Sequence, residues 1–198
     1  MILRLSIAFL LGASIAAWGI DKDKIRFQPG PASSYEDKQT ISGVTIGAQA
    51  FDNAELAKTA FGKLHPYEHG ILPILVVIQN DSKQAIKLEG MQILYTDRQG
   101  NRIEPTPARD VPYIRGPNRP NFNGQLPIPL PRKKNPLMDP VIDERAFAAK
   151  MVPPGDSVYG FFYFQSPHRR GSQLYIKGLR EAQSGQELFF YEIPLVSR

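Results

Sequence analysis

The chain is 198 residues long, with 42% apolar and 22% charged side chains and a formal net charge of +5, the proportions of a folded domain rather than a disordered tail. That length holds one domain with a real core and excludes two large ones. Cysteine is absent, which excludes disulfide staples, thiolate metal sites and thiol nucleophiles, and leaves stability to packing.

The N-terminus opens on Met1 and the basic Arg4, followed by an apolar run over 5–18 broken only by Ser6, Gly12 and Ser14. Those 14 residues fall short of the roughly 20 needed to cross a bilayer as a helix. Ser14 with Ala16, or Ala17 with Gly19, supplies a small-x-small cleavage pattern, and Asp21, Lys22 and Asp23 follow at once. The pattern predicts a signal peptide over 1–19, export to the periplasm or beyond, and no stable membrane span once it is cleaved. A retained anchor is the alternative. No cysteine follows the run to carry a lipid.

Residues 20–41 contain Pro29, Gly30, Pro31, Ser33 and Ser34 among scattered charges, and read as a flexible lead-in to a domain over 42–198. Val44 and Ile46 alternate with Thr45 and Gly47, the period of a half-buried strand. Asp52 with Glu55 predicts a capped short helix, with Leu56, Ala57, Ala60 and Phe61 on its apolar side and Gly62 at its end. The run 71–78 is too apolar for a solvent-facing strand and too β-branched for a short helix, so it belongs at the centre of the core. Asn80-Asp81-Ser82 is a turn by side-chain chemistry. Strands are predicted over 85–88 and 91–95, then a hairpin turn over 97–101.

In the last third, Asp143 predicts the start of a short helix over 143–151, stopped by Pro153-Pro154-Gly155. An aromatic strand follows over 157–165, then a turn through Pro167, Arg169, Arg170 and Gly171, and strands over 173–177 and 187–193. About seven short strands separated by turns predict a mainly β fold, a two-sheet antiparallel sandwich with two short helices. A parallel sheet would need crossover helices that are missing. The pieces Leu72-Pro73-Ile74-Leu75-Val76-Val77-Ile78-Gln79-Asn80-Asp81-Ser82 and Val152-Pro153-Pro154-Gly155-Asp156-Ser157-Val158-Tyr159-Gly160-Phe161 resemble exported bacterial immunoglobulin-like β-sandwich proteins of unassigned function. In those, an apolar strand ends in an Asn-x-Ser turn, and a later Pro-Gly turn enters an aromatic strand. The resemblance implies an immunoglobulin-like sandwich and transfers no active-site residue.

Residues 105–140 form a Pro-rich insertion holding 10 of the 18 prolines. Six basic residues (Arg109, Arg115, Arg119, Arg132, Lys133, Lys134) stand there against Asp110 and Asp139, so this segment carries the whole positive excess of residues 20–198. A connection this long inside a compact domain asks for an explanation. Proline stiffens the free chain, and a basic cluster favours anionic partners. One reading is a docking arm for an envelope protein or an anionic envelope polymer, with Tyr113 and Phe122 joining the six cations as contact residues. The other is a hydrated insertion packed along the sandwich by Tyr113, Ile114, Phe122 and Leu126. Sparse aromatic interleaving and predicted export weigh against nucleic acid.

Chemistry is thinly signalled. His65-Pro66-Tyr67-Glu68-His69 has the H-x-x-E-H spacing which, on a helix, presents two zinc ligands and a water-polarising glutamate on one face. Gly62, Pro66 and Gly70 leave room for one turn at most, so a small metal-dependent hydrolase using His65, Glu68 and His69 is the alternative to a non-catalytic module. His168 has no Gly-x-Ser-x-Gly partner motif and lies in a Pro-His-Arg-Arg turn. Aromatics 159–164 offer either a carbohydrate platform or core, and strand propensity favours core. No cofactor motif is legible.

Overall fold

A computed structural model describes residues 27–114 and 135–196. The apolar run at the centre of the sequence becomes a strand buried on both faces, and that double burial organises the molecule. Four antiparallel strands form the first sheet: β1 (Lys38–Ile41), β2 (Val44–Ala50), β3 (Leu72–Asn80) and β8 (Ser157–Phe164), in the order β1-β2-β3-β8. Leu72, Ile74, Val76 and Ile78 of β3 point into the space between sheets, with Val44, Ile46 and Ala48 of β2 beside them. Leu75 and Val77 point the other way, into a second apolar cluster with Phe51, Phe61, Val111, Leu137, Ile142, Phe161 and Tyr163. Successive strand side chains face opposite sides, so a strand covered on both has no polar phase. Each fully buried Leu, Ile or Val contributes about 1.5–3 kcal/mol of transfer free energy.

The opposing sheet runs β11-β9-β5-β6, from β5 (Gln92–Thr96), β6 (Arg102–Ile103), β9 (Ser172–Lys177) and β11 (Tyr191–Leu195). Its inner face supplies Ile93, Tyr95, Leu174, Ile176, Tyr191 and Ile193. Three two-residue strands, β4 (Ile86–Lys87), β7 (Met151–Val152) and β10 (Arg180–Glu181), make a small third sheet in the order β10-β4-β7. The result is mainly β and antiparallel, consistent with a β-sandwich.

The far face of the first sheet is covered by non-strand chain. Helix α1 (Ala54–Phe61) begins at Asn53, whose side chain accepts from Leu56 N at 2.9 Å, one residue after the cap expected at Asp52. Gly62 ends it at φ 67°. Helix α2 is only Val141–Arg145, not 143–151. Asp139 Oδ1 accepts from Val141 N at 3.0 Å, which starts the helix two residues before Asp143. After it the chain extends along the edge of β8, where Phe147 N donates to Phe161 O at 3.0 Å.

Residues 27–41 are also corrected: from Phe27 on, they belong to the domain rather than to a flexible lead-in. Ala32 is fully buried, Phe27 packs 5.5 Å from the Phe161 ring, and β1 pairs with β2 from Lys38↔Gly47 to Ile41↔Val44. The last strand lies at Tyr191–Leu195, later than 187–193, and its free edge shows why Pro194 fits. The outward amides of β11 alternate at 192, 194 and 196. Glu192 N donates to Gln39 Oε1 at 2.7 Å, Val196 N donates to Asp37 Oδ2 at 3.0 Å, and Pro194 has no donor. An edge with its outward donors taken is a poor template for further strands.

The two sequence pieces that end β3 and enter β8 meet in space. Asn80 N donates to Asp156 O at 2.9 Å and Gly155 N donates to Asn80 O at 2.7 Å. The buried Asn80 amide donates to Gln84 O at 2.7 Å and Val152 O at 3.0 Å, while its oxygen accepts from Ser82 N and Ser82 Oγ. One side chain thereby ties the end of β3, the following turn and β7.

Candidate functional site

The insertion leaves and rejoins the domain through a stitched base. A 3-10 turn over Ala108–Tyr113 buries Val111 completely in the second apolar cluster, and a second 3-10 turn over Pro136–Met138 buries Leu137 beside it. Asn135 links the two: its Nδ2 donates to Pro112 O at 2.6 Å while its Oδ1 accepts from Leu137 N at 3.1 Å. Upstream, Thr106 N donates to Tyr163 O at 2.7 Å. Downstream, Tyr163 Oη donates to Ile142 O at 2.7 Å, and burial drives that phenol far above its ordinary pKa. Both ends of the insertion are thus fastened to the outer surface of β8.

On this base Arg109 and Tyr113 face solvent, with 83% of the Arg109 side chain and 75% of Tyr113 exposed. Arg109 lies 3.9 Å from Asp110 Oδ1, an exposed pair of small energetic weight. Of the residues that the packed reading of the insertion names, Ile114 packs against the second cluster together with the buried Val111 and Leu137, whereas Tyr113 points away, as the contact reading requires. Arg115, Arg119, Phe122, Leu126, Arg132, Lys133 and Lys134 lie outside the described residues. Sequence reasoning missed Asn135, whose only signal is an Asn before Pro136 at a turn start.

The H-x-x-E-H stretch forms a 3-10 turn over Pro66–His69, with His65 preceding it at φ −119°, ψ 87°. A 3-10 turn has three residues per revolution, so positions four apart are offset by roughly 120° rather than sharing a face. His65 Nδ1 instead lies 2.9 Å from Glu68 Oε1, without hydrogen-bond alignment. Among the described residues no group of three or more His, Asp or Glu side chains is placed to hold a metal ion.

His168 is 9% exposed and belongs to a polar cluster closing one end of the sandwich. Tyr95 Oη donates to Ser172 Oγ at 2.7 Å, and Ser172 donates on to Arg169 O at 2.7 Å, so the Tyr95 oxygen can accept from His168 Nδ1 at 3.2 Å. His168 N donates to Tyr67 Oη at 3.0 Å. Burial holds the imidazole below its ordinary pKa, against the pull of the Asp52 and Asp37 carboxylates and the Val196 carbonyl. The cluster is structural, and it makes stability pH-dependent. Between the depressed folded value and the ordinary value near 6.5, the unfolded chain takes up a proton that the folded chain refuses. Stability therefore falls as pH drops below about 6.5, and a His168→Gln variant loses less stability between pH 7.5 and 5.5 than wild type. Urea midpoints at the two pH values check this; equal losses contradict it.

The aromatic strand β8 is core on both sides: Phe161 and Tyr163 sit in one cluster and Phe164 in the other, with Tyr159 alone 43% exposed.

By its fold the described part of the chain is an antiparallel β-sandwich. No protein-family model matches it, and no curated protein matches it in sequence. Distantly similar solved structures include two from Bacillus subtilis. The yjhA protein of Bacillus subtilis covers 82% of this chain and 98% of its own at 10% identity and a TM-score of 0.45. A candidate lipoprotein of Bacillus subtilis subsp. subtilis strain 168, ycdA, covers 80% of this chain at 10% identity and a TM-score of 0.40, and the present chain spans 38% of its length.

Proposed function

We propose that the chain is an exported, non-catalytic contact module which uses its Pro-rich insertion to bind an anionic envelope polymer. The observation that carries this reading is the base of the insertion, where exposed Arg109 and Tyr113 ride on a turn whose Val111 is fully buried. A contact residue on a fixed base loses little freedom on binding, which is what makes a presented surface effective. The basic excess of 105–140 supplies attraction to negative charge. Export rests on the signal-like residues 1–19, and among the described residues no helix is long and apolar enough to cross a membrane. An immunoglobulin-like assignment is supported by the strand order, β2-β3-β8 in one sheet against β11-β9-β5-β6 in the other.

Immobilised polyphosphate, a polyanion without rings, tests the electrostatic core of the proposal. Retention of the chain is expected to fall with salt, and Arg109→Ala with Tyr113→Ala is expected to weaken binding roughly fivefold, about 1 kcal/mol. No retention by wild type at low salt would overturn the reading, as would equal retention by the double variant.

A further inference from the structure

The outer face of the sheet β11-β9-β5-β6 carries a row of flat groups that the core does not use. Tyr175 of β9 points outward, since its neighbours Leu174 and Ile176 are fully buried in the sandwich. The Phe190 ring lies 5.4 Å from the Tyr175 ring at 33°, and the Arg102 guanidinium stands over the same ring at 5.5 Å. Phe190 is 50% exposed and its neighbour Phe189 is 78% exposed. Phe190, Tyr175 and Arg102 therefore form a strip across the strands. Beside it the register places Glu192 opposite Tyr175, and Lys177 opposite Gln92.

We infer that this strip is a binding platform for an acidic polysaccharide. The exposed Phe189 and Phe190 rings are electron-rich and attract the polarised C–H faces of sugar rings, Tyr175 holds Phe190 and Arg102 in place from below, and guanidinium, carboxylate and amide groups at the rim bond hydroxyls and carboxylates. Two cations, Arg102 and Lys177, stand against one anion, Glu192, so an acidic chain is favoured over a neutral one. A protein partner fits less well. Fully exposed, aromatic side chains offer only about 150–250 Å² each, so two partly exposed phenylalanines and a half-buried tyrosine fall well short of the roughly 800 Å² per side of a standard protein interface. The strip is separate from the Pro-rich insertion, so either site can fail alone.

Affinity electrophoresis of the full mature chain in gels containing polygalacturonate, with dextran as the neutral polymer, tests the assignment. Expected is retardation by polygalacturonate and not by dextran, weakened at least tenfold by Tyr175→Ala or Phe190→Ala. Arg102→Gln, a change at an exposed position, is expected to weaken it about threefold with a melting temperature close to that of wild type. Arg109→Ala with Tyr113→Ala is expected to change it less than twofold. Unretarded wild type, equal retardation by dextran, strip variants that still bind, loss caused only by the Arg109 and Tyr113 changes, or a self-associated form that Phe190→Ala converts to monomer would each overturn it.

Discussion

Replacing Asn80 by alanine is expected to cost about 3 kcal/mol of folding stability, because the change removes four hydrogen bonds of one buried side chain at once. Gln84 O and Val152 O each lose the Asn80 amide, though Ser82 Oγ still reaches Gln84 O at 3.1 Å, and Ser82 loses its acceptor. For a domain of this size that corresponds to a melting temperature lower by roughly 6–12 °C. The Asn80→Asp variant sharpens the test. It keeps the shape but turns the donor into a carboxylate facing two carbonyl oxygens, which is worse than an empty space while the group is charged. Protonation restores a donor, so this variant gains stability relative to wild type as pH falls toward 5, the opposite of the His168 contribution. Denaturant midpoints at pH 7 and pH 5 read both effects. An Asn80→Ala protein within 0.5 kcal/mol of wild type would contradict the account of this tie.

The second large effect is at Gly160. A Cβ there would lie 2.4 Å from Phe147 Cα and 2.7 Å from Phe147 N, backbone atoms that cannot rotate away. The chain at Phe147 is held against β8 by its bond to Phe161 O, and its ring stacks on Phe162 at 5.1 Å and 23°. Gly160→Ala must push this covering segment off the strand edge, and a loss of about 2–3 kcal/mol is expected, more for valine. Gly90→Ala is the comparison, since its Cβ would meet nothing closer than 3.4 Å, and its cost is expected to be well under half as large. Equal midpoints for Gly160→Ala and Gly90→Ala would show that the covering segment is not packed as described. A freed β8 edge also predicts concentration-dependent association of the Gly160 variant, measurable by light scattering.

These two positions show where the sequence was readable. Asn80 and Gly155 stood out because an Asn-Asp-Ser turn and a Pro-Pro-Gly turn are local chemistry, written within a few residues. What could not be read is that they bond to each other. Strand β3 was legible from its unbroken apolar run, since burial on both faces erases the polar phase. Strand β1 was not. Lys38, Gln39, Thr40 and Ile41 carry no apolar run, and their place depends on pairing with β2 and on the Gln39 and Asp37 side chains that close β11. Helix α2 was misplaced because Asp143 looks like a cap, whereas the cap position is Pro140, and Asp139 before it takes the Val141 amide in a turn contact. At the candidate site the basic composition of 105–140 was plain, but composition does not say which way Tyr113 points. That depends on Val111 and Leu137 filling the second cluster, a contact distant in sequence. Phe189 and Phe190 escaped notice for the same reason: two adjacent aromatics before a strand look like core, but the chain between buried Leu188 and buried Tyr191 is not strand and leaves both rings outside.

The claim on which the functional account rests is that the insertion binds and the sandwich presents it. Because the Asn135 side chain reaches Pro112 O at 2.6 Å, the two ends of the insertion lie close together, and residues 115–134 can be exchanged for a short Gly-Ser linker without disturbing the base. Titration of immobilised polyphosphate with this linker variant and with wild type, paired with melting curves, is the direct measurement. The account predicts a melting temperature within a few degrees of wild type and at least tenfold weaker binding, and unchanged binding by the folded linker variant would contradict it.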